Sequence, residues 1–360
     1  MILKVHRAHS YEGHFPDLRE PSEIGGFSLD FDRQFCDDKH QLKYVSLPRS
    51  PQVHFDLSAG YEQAIRKEFG KTENIDSLLH WVLNHQEDVQ HHFPNRTNKS
   101  GVDFVCYRGL LTKLCCTVYE NREDWLVCAT RYRSVVYLVA FDTEQDVERR
   151  DSMTERDRLM SAWGYKFEQY VTSDAPGSAP DPSVPVNEKE EFNAVMKGRL
   201  NGHALLFSAE VDGVDPAHIG RDPASMGKYV EFKTSRIIET ERQRRSFCRF
   251  KLLKWWLQSF LAGIPKIVCG FRDDDGIVRT LEEFPVRDIP KMAQGQWSPA
   301  ACLNFLSLFF DHVNKCVTKD DPNVVYQFRW SPRQDITCEE LTPPHKYQIL
   351  PDWYVGNVHF

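Results

Sequence analysis

Residues 203–215, HALLFSAEVDGVD, form an apolar run that ends in two acidic residues, Glu210 and Asp212. Side chains two positions apart project from the same face of a β-strand, so a strand over this run would point both carboxylates in one direction. Adjacent carboxylates repel each other, and burial of an unpaired charge is costly. The run therefore predicts a buried strand with a compensating cation at its end; the alternative is a strand end at which both acids face water.

A second stretch, residues 228–235 (KYVEFKTS), repeats this geometry with an acid and a base. Glu231 and Lys233 share one face of the predicted strand, while Phe232 faces the other way. Taken alone, the pair is an ordinary same-face salt bridge. The order acid, interval, acid-x-lysine and then a helix is the arrangement of PD-(D/E)xK nucleases. In that arrangement the acids hold one or two Mg²⁺ ions that bridge the phosphate, and the lysine orients or helps deprotonate the attacking water.

Glu168 is a third acid that fits this chemistry. It lies in GYKFEQY, residues 164–170, just beyond a helix that we predict over residues 154–163 with Thr154 as its cap. Hard divalent cations prefer several oxygen ligands, so another carboxylate would complete the metal shell. Taken alone, Glu168 is more simply interpreted as an exposed surface glutamate. The prediction that it binds metal depends on the presence of the other acids.

A basic segment follows Lys233. Residues 226–258 contain nine Lys and Arg against three Glu, in a chain whose net charge is −7. We predict a helix over residues 246–262 that ends at Gly263 and Pro265. Its predicted inner face consists of Phe247, Phe250, Leu253, Leu257 and Phe260. The helix would turn some cations toward the site, which indicates a polyanionic substrate; a solvated basic helix face is the alternative.

The composition is that of a globular protein. The 360 residues are 41% hydrophobic and 27% charged, with a mean hydropathy of −0.52. No run approaches the roughly 18 apolar residues of a transmembrane helix, and the first residues have no signal-peptide core, so we expect no membrane association and a cytosolic or nuclear location. Ten scattered cysteines without a CxxC pair predict reduced, mostly buried thiols.

Strand and helix patterns alternate along the whole chain and predict a single α/β (mixed α+β) domain over residues 1–360. Residues 172–188 carry four prolines and are predicted to form a surface loop or lid. Helices are predicted over residues 61–86, 154–163, 188–200, 246–262 and 299–317, and strands over 103–120, 124–132, 134–142, 203–213, 228–235, 267–273 and 277–284.

Several ordered segments carry a family resemblance. They are EIGGFSLDFDRQF (23–35), YRGLLTKL (107–114), GYKFEQY (164–170), PGSAPDPS (176–183), LLFSAEVD (205–212), YVEFKTS (229–235), RSFCRFKLLKWWLQSFLAG (245–263), GFRDDDG (270–276) and DDPNVVYQFRW (320–330). In these segments the chain resembles the Dom3Z family of decapping exoribonucleases, the DXO enzymes of animals, over nearly its full length. The resemblance implies a PD-(D/E)xK nuclease-like core of twisted mixed sheets with flanking helices.

The resemblance also implies residue roles. The metal ligands it implies are Glu168, Glu210, Asp212, Glu231 and the main-chain carbonyl of Phe232. Lys233 and Gln258 match the pair that positions the attacking water and scissile phosphate, so the implied catalytic set is Glu210, Asp212, Lys233 and Gln258. The remaining substrate contacts it implies are Arg33, Glu73, Tyr107, Arg108, Gly109 and Asn193. Tyr107 replaces the family's tryptophan, and Asn193 stands where mammalian members carry a smaller thiol.

The implied activity is hydrolysis at RNA 5′ ends with Mg²⁺ or Mn²⁺, two ions in all. Similar proteins remove incomplete caps, pyrophosphate from 5′ triphosphates and NAD caps, and degrade the RNA body from 5′ to 3′, starting from monophosphate ends. We expect a nuclear monomer, with a cytoplasmic pool as a further location. One alternative is a regulatory partner that stabilises a separate 5′–3′ exoribonuclease, and another is a DNA nuclease, because the metal core does not choose the sugar.

Overall fold

The computed structural model describes residues 1–68, 74–94 and 101–359. The strands differ widely in length, from two residues to the twelve of the longest. In chain order the strands are β1 Ile2–Leu3, β2 Leu18–Leu29, β3 Phe35–Cys36, β4 Tyr44–Val45, β5 Gln52–Asp56, β6 Phe104–Tyr107, β7 Trp125–Tyr132, β8 Val135–Phe141, β9 Thr172–Ser173, β10 Glu191–Leu200, β11 His203–Glu210, β12 Gly213–Val214, β13 Tyr229–Arg236, β14 Lys266–Arg272, β15 Ile277–Pro285, β16 Tyr326–Trp330 and β17 Ile336–Glu340.

The helices flank these strands and separate them in sequence. They are α1 Asp76–Asn84, α2 Gln86–His92, α3 Arg108–Cys116, α4 Glu144–Asp151, α5 Glu155–Val171, α6 Glu241–Ser246, α7 Leu252–Leu261, α8 Ile289–Met292, α9 Pro299–Cys316 and α10 Asp352–Val355. The sequence prediction that Thr154 caps α5 is confirmed: its hydroxyl accepts a hydrogen bond from Asp157 N, and the Asp157 carboxylate accepts one from the Thr154 N–H.

Within the described residues the strands form two mixed sheets. The larger has ten strands in the order β1-β17-β16-β7-β8-β6-β11-β10-β2-β3, and the smaller has seven in the order β5-β15-β14-β13-β12-β4-β9. Parallel pairs lie inside both sheets, β6 with β11 and β13 with β14, among antiparallel neighbours. The mixed α/β architecture predicted from the sequence is confirmed.

The apolar core forms layers around the two sheets. The largest buried cluster combines residues of both sheets, such as Phe207 and Ile267, with residues of α3, α7 and α9, so these helices lie between the sheets. A second cluster packs α1 and α10 on the other face of the larger sheet, and a third packs α5 against the smaller sheet. This layered packing fixes the positions of the strand ends at the junction of the two sheets.

Residues 191–200 form a strand, so the helix predicted over residues 188–200 is wrong. The segment is β10, which pairs with β2 on one side and with β11 on the other. Glu, Ala, Met and Lys favour a helix locally, but two ladders of backbone hydrogen bonds and burial on both faces outweigh that preference. The correction brings Glu191 and Asn193 beside the end of β11.

The segment 103–120 is also not one strand. After β6 the chain forms α3, whose apolar residues Leu110, Leu111, Leu114 and Cys115 recur at helical spacing and are buried. The predicted helix over 154–163 continues to Val171, because Gly164 does not end it. Glu168 therefore lies within α5 and not beyond it.

The basic helix predicted over residues 246–262 starts earlier and is less regular than predicted. It begins at Glu241, and residues 247–251 form a π-helical turn between α6 and α7. The wider turn inserts a residue and changes the helical register, so Phe247 and Leu253 are buried as predicted whereas Phe250 is 39% exposed. The assignment of Phe250 to the inner face is wrong.

Other predictions have simple outcomes. The helix predicted over 61–86 is divided, with a 3₁₀ turn at Tyr61–Gln63 and α1 beginning at Asp76. All ten cysteines are free thiols, and eight of them are buried. In the described parts of the chain, no helix is long and apolar enough to cross a membrane.

Candidate active site

Glu210 and Asp212 mark the point where the chain leaves the larger sheet for the smaller one. Glu210 is the last residue of β11, and Asp212 lies in the link to β12. The Asp212 Oδ2 accepts a hydrogen bond from the main-chain N–H of Phe232 at 2.6 Å. Because β11 ends at Glu210, Asp212 does not lie on the strand predicted for it, but both acids line the same cavity.

Glu231 and Lys233 lie on β13, and the prediction that they share a face is confirmed. Lys233 Nζ lies 2.5 Å from Glu231 Oε1, and the Arg108 guanidinium lies 3.9 Å from the same oxygen. Glu231 is 1% exposed, and its Oε2 has no hydrogen-bond partner among the described residues. A buried carboxylate oxygen without a donor is a position where a cation would be stabilised.

Glu168 enters the site from α5. The helix packs on the smaller sheet through an edge-to-face contact between Phe167 and Phe232. The Phe167 ring lies so close to β14 that a Cβ at Gly270 would fall 2.6 Å from it, so a glycine is required at that position. Glu168 is half-buried and interacts electrostatically with Asp212 and Glu210. The structure thus brings the predicted acids of three separate elements together.

The carboxylates differ in their proton affinity. Burial and the charges of Asp212 and Glu210 raise the pKa of Glu168 well above its usual range. Burial among protein groups and nearby acids raises the pKa of Glu210 to about 8, even though its side chain keeps contact with cleft solvent, and that of Asp212 to about 7. For Glu231 burial acts in the same direction, but Lys233 and Arg108 reverse it and lower the pKa. Lys233 and Arg108 thus keep Glu231 ionised, whereas Glu168, Glu210 and Asp212 hold their protons more tightly than free carboxylic acids do.

This donor set fits a hard divalent cation in its chemistry. Within the described residues, no three Asp, Glu, His or Cys side chains already converge as a finished ligand set for one ion. The fit therefore comes from the crowded carboxylates and from the orphaned Oε2 of Glu231, because oxygen-rich, anionic sites are those that Mg²⁺ and Mn²⁺ occupy. The carboxylates that the site offers to such ions are those of Glu168, Glu210, Asp212 and Glu231, and the ligand role of the Phe232 carbonyl stays a prediction.

Arg108 and Gln258 lie on two helices that pack together. Arg108 begins α3 and is 8% exposed, yet its Nε and Nη1 have no hydrogen-bond acceptor among the described residues. Lys254 of α7 reaches Glu120, beyond the C-terminal end of α3, so the helices run antiparallel and half-buried Gln258 lies toward the Arg108 end. A buried guanidinium with free donors is suited to an oxyanion such as a phosphate.

The other substrate residues implied by the resemblance are placed unequally. Asn193 is buried directly opposite Glu210 in the β10–β11 ladder. Tyr107 is half-buried, and the space beside exposed Gly109 is open, since a Cβ there would meet nothing within 4 Å. Glu73 lies outside the described residues. The structure therefore brings Asn193, Tyr107 and Gly109 to the site region and leaves Glu73 a prediction.

Glu191 is a site residue that sequence reasoning missed. Its carboxylate accepts from Arg33 Nη1 at 3.2 Å and from Asn193 Nδ2 at 3.0 Å, and its charge helps to raise the pKa of Glu210. Glu191 lies two positions before Asn193, so the two side chains share one face of β10. The incorrect helix prediction for this segment separated them, and Glu191 was therefore missed. Glu191 connects Arg33 to the acid cluster.

The cluster borders a cavity of about 450 Å³. Glu168, Glu210 and Asp212 line one side, and the predicted loop over residues 172–188 lines another. Buried Lys166 holds this loop on α5 by donating to the Pro182 carbonyl at 2.6 Å. The cavity can therefore hold a group several atoms in size next to the acids.

Comparison with known proteins agrees with this geometry. A family model described as RAI1 like PD-(D/E)XK nuclease matches residues 19–355. The decapping and exoribonuclease protein of Xenopus laevis is 40% identical over 359 residues, spanning 97% of this chain and 88% of the relative. The corresponding human protein is 40% identical over 351 residues, spanning 96% and 87%.

Solved structures share the fold at lower identity. Candida albicans Rai1 in complex with pU5-Mn²⁺ has a TM-score of 0.84 at 23% identity and covers 99% of this chain and 98% of its own. Scheffersomyces stipitis Rai1 in complex with (3′-NADP)⁺ and calcium has a TM-score of 0.82 at 24% identity, with 99% of both chains covered. These structures share the fold, and the family model and the curated relatives show that the chain belongs to the RAI1-like PD-(D/E)XK nuclease family.

Proposed function

We propose that this protein is a divalent-metal-dependent hydrolase of RNA 5′ ends that removes incomplete caps, 5′ pyrophosphate and NAD caps and degrades RNA from 5′ to 3′. Family membership and curated relatives named decapping and exoribonuclease proteins support a hydrolase with both activities. The observation that carries the proposal is the acid cluster: Glu168, Glu210 and Asp212 line one cavity, and Lys233 and Arg108 flank Glu231. The metal-bound relatives support a divalent ion here; we propose two Mg²⁺ or Mn²⁺ ions.

The side chains divide the work of phosphate hydrolysis. When bound, divalent ions supply Lewis-acid polarisation of the phosphate and a source of hydroxide near neutral pH. Glu168, Glu210, Asp212 and Glu231 would hold the ions as carboxylates and would take no proton in the reaction. A water oxygen forms the new bond to phosphorus as the bond to the leaving oxygen breaks; the water loses a proton to solvent, and the leaving oxygen takes one from solvent.

Lys233, Gln258 and Arg108 orient the reacting groups. Glu231 holds the Lys233 ammonium at 2.5 Å, so it is a fixed positive charge where negative charge develops on the phosphate. We assign Gln258 to the attacking water and scissile phosphate. The Nε–H and Nη1–H groups of Arg108, which have no acceptor among the described residues, would donate to phosphate oxygens.

The cavity is the proposed site for the group at the RNA 5′ end. Its size and its enclosure by residues of loop 172–188 suit a cap or a dinucleotide, and Asn193 and the Glu191–Arg33 pair lie beside Glu210. The proposal explains how one site acts on several ends: the reacting phosphate stays at the acids while the 5′ group varies. Glu73 belongs to the same proposed contact set.

We further propose a monomer that works in the nucleus, with a cytoplasmic pool. The rival function is a regulatory partner of a separate 5′–3′ exoribonuclease, with catalysis secondary. A pure scaffold has no need for carboxylates whose mutual repulsion is costly, so the acid cluster favours the enzyme.

A panel of RNAs tests the proposal. Substrates with triphosphate, unmethylated cap, methylated cap, NAD and monophosphate ends are incubated with the protein in Mg²⁺ or Mn²⁺, and products are identified by mass. We expect 5′ groups or mononucleotides to be released from RNA, and the variant carrying Glu210→Ala and Asp212→Ala to be inactive but folded. A 5′-phosphate DNA of the same sequence tests the DNA-nuclease alternative. Wild-type turnover in the double variant contradicts the site assignment.

A further inference from the structure

The exposed basic half of the helix that carries Gln258 has features that the catalytic cleft does not explain. Its arginines Arg242, Arg244, Arg245 and Arg249 are all exposed. Neighbouring cations are paired, Arg236 with Asp274 and Lys254 with Glu120 and Glu123. Across the described residues, by contrast, none of the four arginines forms an ion pair, although Glu239 and Glu241 are close in sequence. Their positive charge is left for an anionic ligand.

An exposed aromatic ring lies among these charges. The π-helical turn over residues 247–251 places Phe250 outside, 39% exposed. The Arg249 guanidinium lies 5.2 Å from the centre of the Phe250 ring, and that of Arg122, from the loop after α3, lies 5.7 Å away. Wide helical turns of this kind frequently occur at functional positions, and here the turn presents a ring with cations around it.

A ring among arginines is the combination that single-stranded nucleic acid requires. A base stacks on an aromatic face, and the adjacent phosphates contact the guanidinium groups. A double helix would keep its bases stacked on each other and would not use the ring. The surface therefore favours a single strand over a duplex.

The surface also lies along the path from the catalytic end of the helix. Phe250 is about 12 Å from Gln258 along the helix axis and Arg242 about 24 Å, at 1.5 Å per residue. Lys251, Lys254 and Gln258 form an unburied stripe at helical spacing, while Leu252, Leu253 and residues 255–257 are buried. This stripe connects Phe250 and Gln258 along one face of the helix.

We propose that Phe250, the Arg122 and Arg249 guanidinium groups beside its ring and the exposed Arg242 and Arg245 earlier in the same helix, hereafter the Phe250 patch, bind the single-stranded RNA body downstream of the cleaved 5′ end. This inference rests on the proposed function and adds a second contact to it. The patch retains a long RNA between successive cleavages and leaves the first cleavage of a short RNA unchanged.

The test compares RNA lengths in the full-length protein. The substrates are a 5′-phosphate dinucleotide and a 5′-phosphate strand of roughly twenty uridines, and affinity is measured by fluorescence anisotropy in chelator at several salt concentrations. For Arg245→Ser with Arg249→Ser we expect about tenfold weaker binding of the long strand, a salt slope reduced by about 1.4, and unchanged binding of the dinucleotide. For Phe250→Ala we expect about five- to fiftyfold weaker binding of the long strand, rescued by Phe250→Trp.

A matched control removes the same charge elsewhere. Arg133→Ser with Lys319→Ser changes exposed residues near the far ends of β7 and α9, where Lys319 has only a surface ion pair with Glu340. This control should bind both RNAs as the wild type does. Equal weakening of short and long RNA, or loss in the control as large as in the patch variants, overturns the proposal. Unchanged affinity for the long strand in both patch variants also overturns the proposal, and would instead indicate that this surface binds a protein partner. If the wild type neither binds nor cleaves RNA, the proposed function itself fails.

Discussion

Both sides of the catalytic cleft carry acidic residues, but they differ in the number of cations close to those acids. On the β13 side, Lys233 and Arg108 lower the pKa of Glu231 although burial opposes them. On the β11 side, burial and neighbouring acids raise the pKa values of Glu210 and Asp212 to about 8 and about 7. Burial alone therefore does not set the state of these acids; the nearby cations do. The β11 side lacks the balancing charge that a divalent ion would bring.

Removing the uncompensated acids should have the largest effect. With Glu210→Gln and Asp212→Asn we expect kcat on NAD-capped RNA to fall at least about a thousandfold, which corresponds to about 4 kcal/mol of transition-state stabilisation. The amides keep the volume of the acids and remove their repulsion, so the metal-free variant should be as stable as the wild type or more so. Single-turnover rates and thermal unfolding measure both effects. A substantially active variant would show that the β11 side does not carry the chemistry.

Removing the cation on the β13 side should affect folding. Lys233→Met leaves Glu231 buried with only the more distant Arg108, so we expect a loss of about 3 kcal/mol in the free energy of unfolding. The matched control is Lys254→Met, whose ion pairs with Glu120 and Glu123 are partly exposed and should contribute less than about 1 kcal/mol. Urea unfolding compares the two. Equal losses would mean that the buried pair is no different from a surface pair.

The raised pKa values predict how stability depends on pH. In the unfolded chain Glu210 and Asp212 ionise near pH 4, whereas the folded metal-free protein keeps their protons until about pH 7 to 8. The folded state thus binds more protons in this window, and stability should fall as pH rises from about 5 to 8. Bound Mg²⁺ or Mn²⁺ should remove this fall, so stabilisation by the metal should be greater at pH 8 than at pH 5. Thermal unfolding with chelator and with metal measures it, and a metal effect independent of pH contradicts the account.

The smallest predicted effect concerns the 5′ group. Asn193→Cys removes the hydrogen bond to Glu191 but leaves Glu210 and Asp212 in place. We expect a few-fold change in KM that differs among the RNA ends, with kcat nearly unchanged. The panel of 5′ ends measures it; a uniform loss of kcat would instead assign Asn193 to the chemical step.

The sequence allowed Glu210, Asp212 and Glu231 to be predicted because each follows or interrupts an apolar run. Alternation along residues 228–235 gave the correct shared face of Glu231 and Lys233, and the order of motifs gave the mixed architecture. Glu168 needed the family resemblance, since its place on α5 and its proximity to Asp212 depend on packing between distant segments.

What could not be predicted depends on tertiary pairing. β10 has a composition that favours a helix, and only its two partner strands make it a strand, so Glu191 was missed. The π-helical turn that exposes Phe250 leaves no signature in a pattern that assumes 3.6 residues per turn. The local spacing of apolar residues therefore does not reveal the extra residue of this turn.

The mass of the products from NAD-capped RNA tests the central claim most directly. With Mg²⁺ or Mn²⁺ the wild-type protein should release intact NAD and leave an RNA that begins with a 5′-phosphate, and the variant with Glu210→Gln and Asp212→Asn should release neither. Release of nicotinamide mononucleotide, which requires cleavage inside the NAD pyrophosphate, or equal product formation by the variant, would contradict the account.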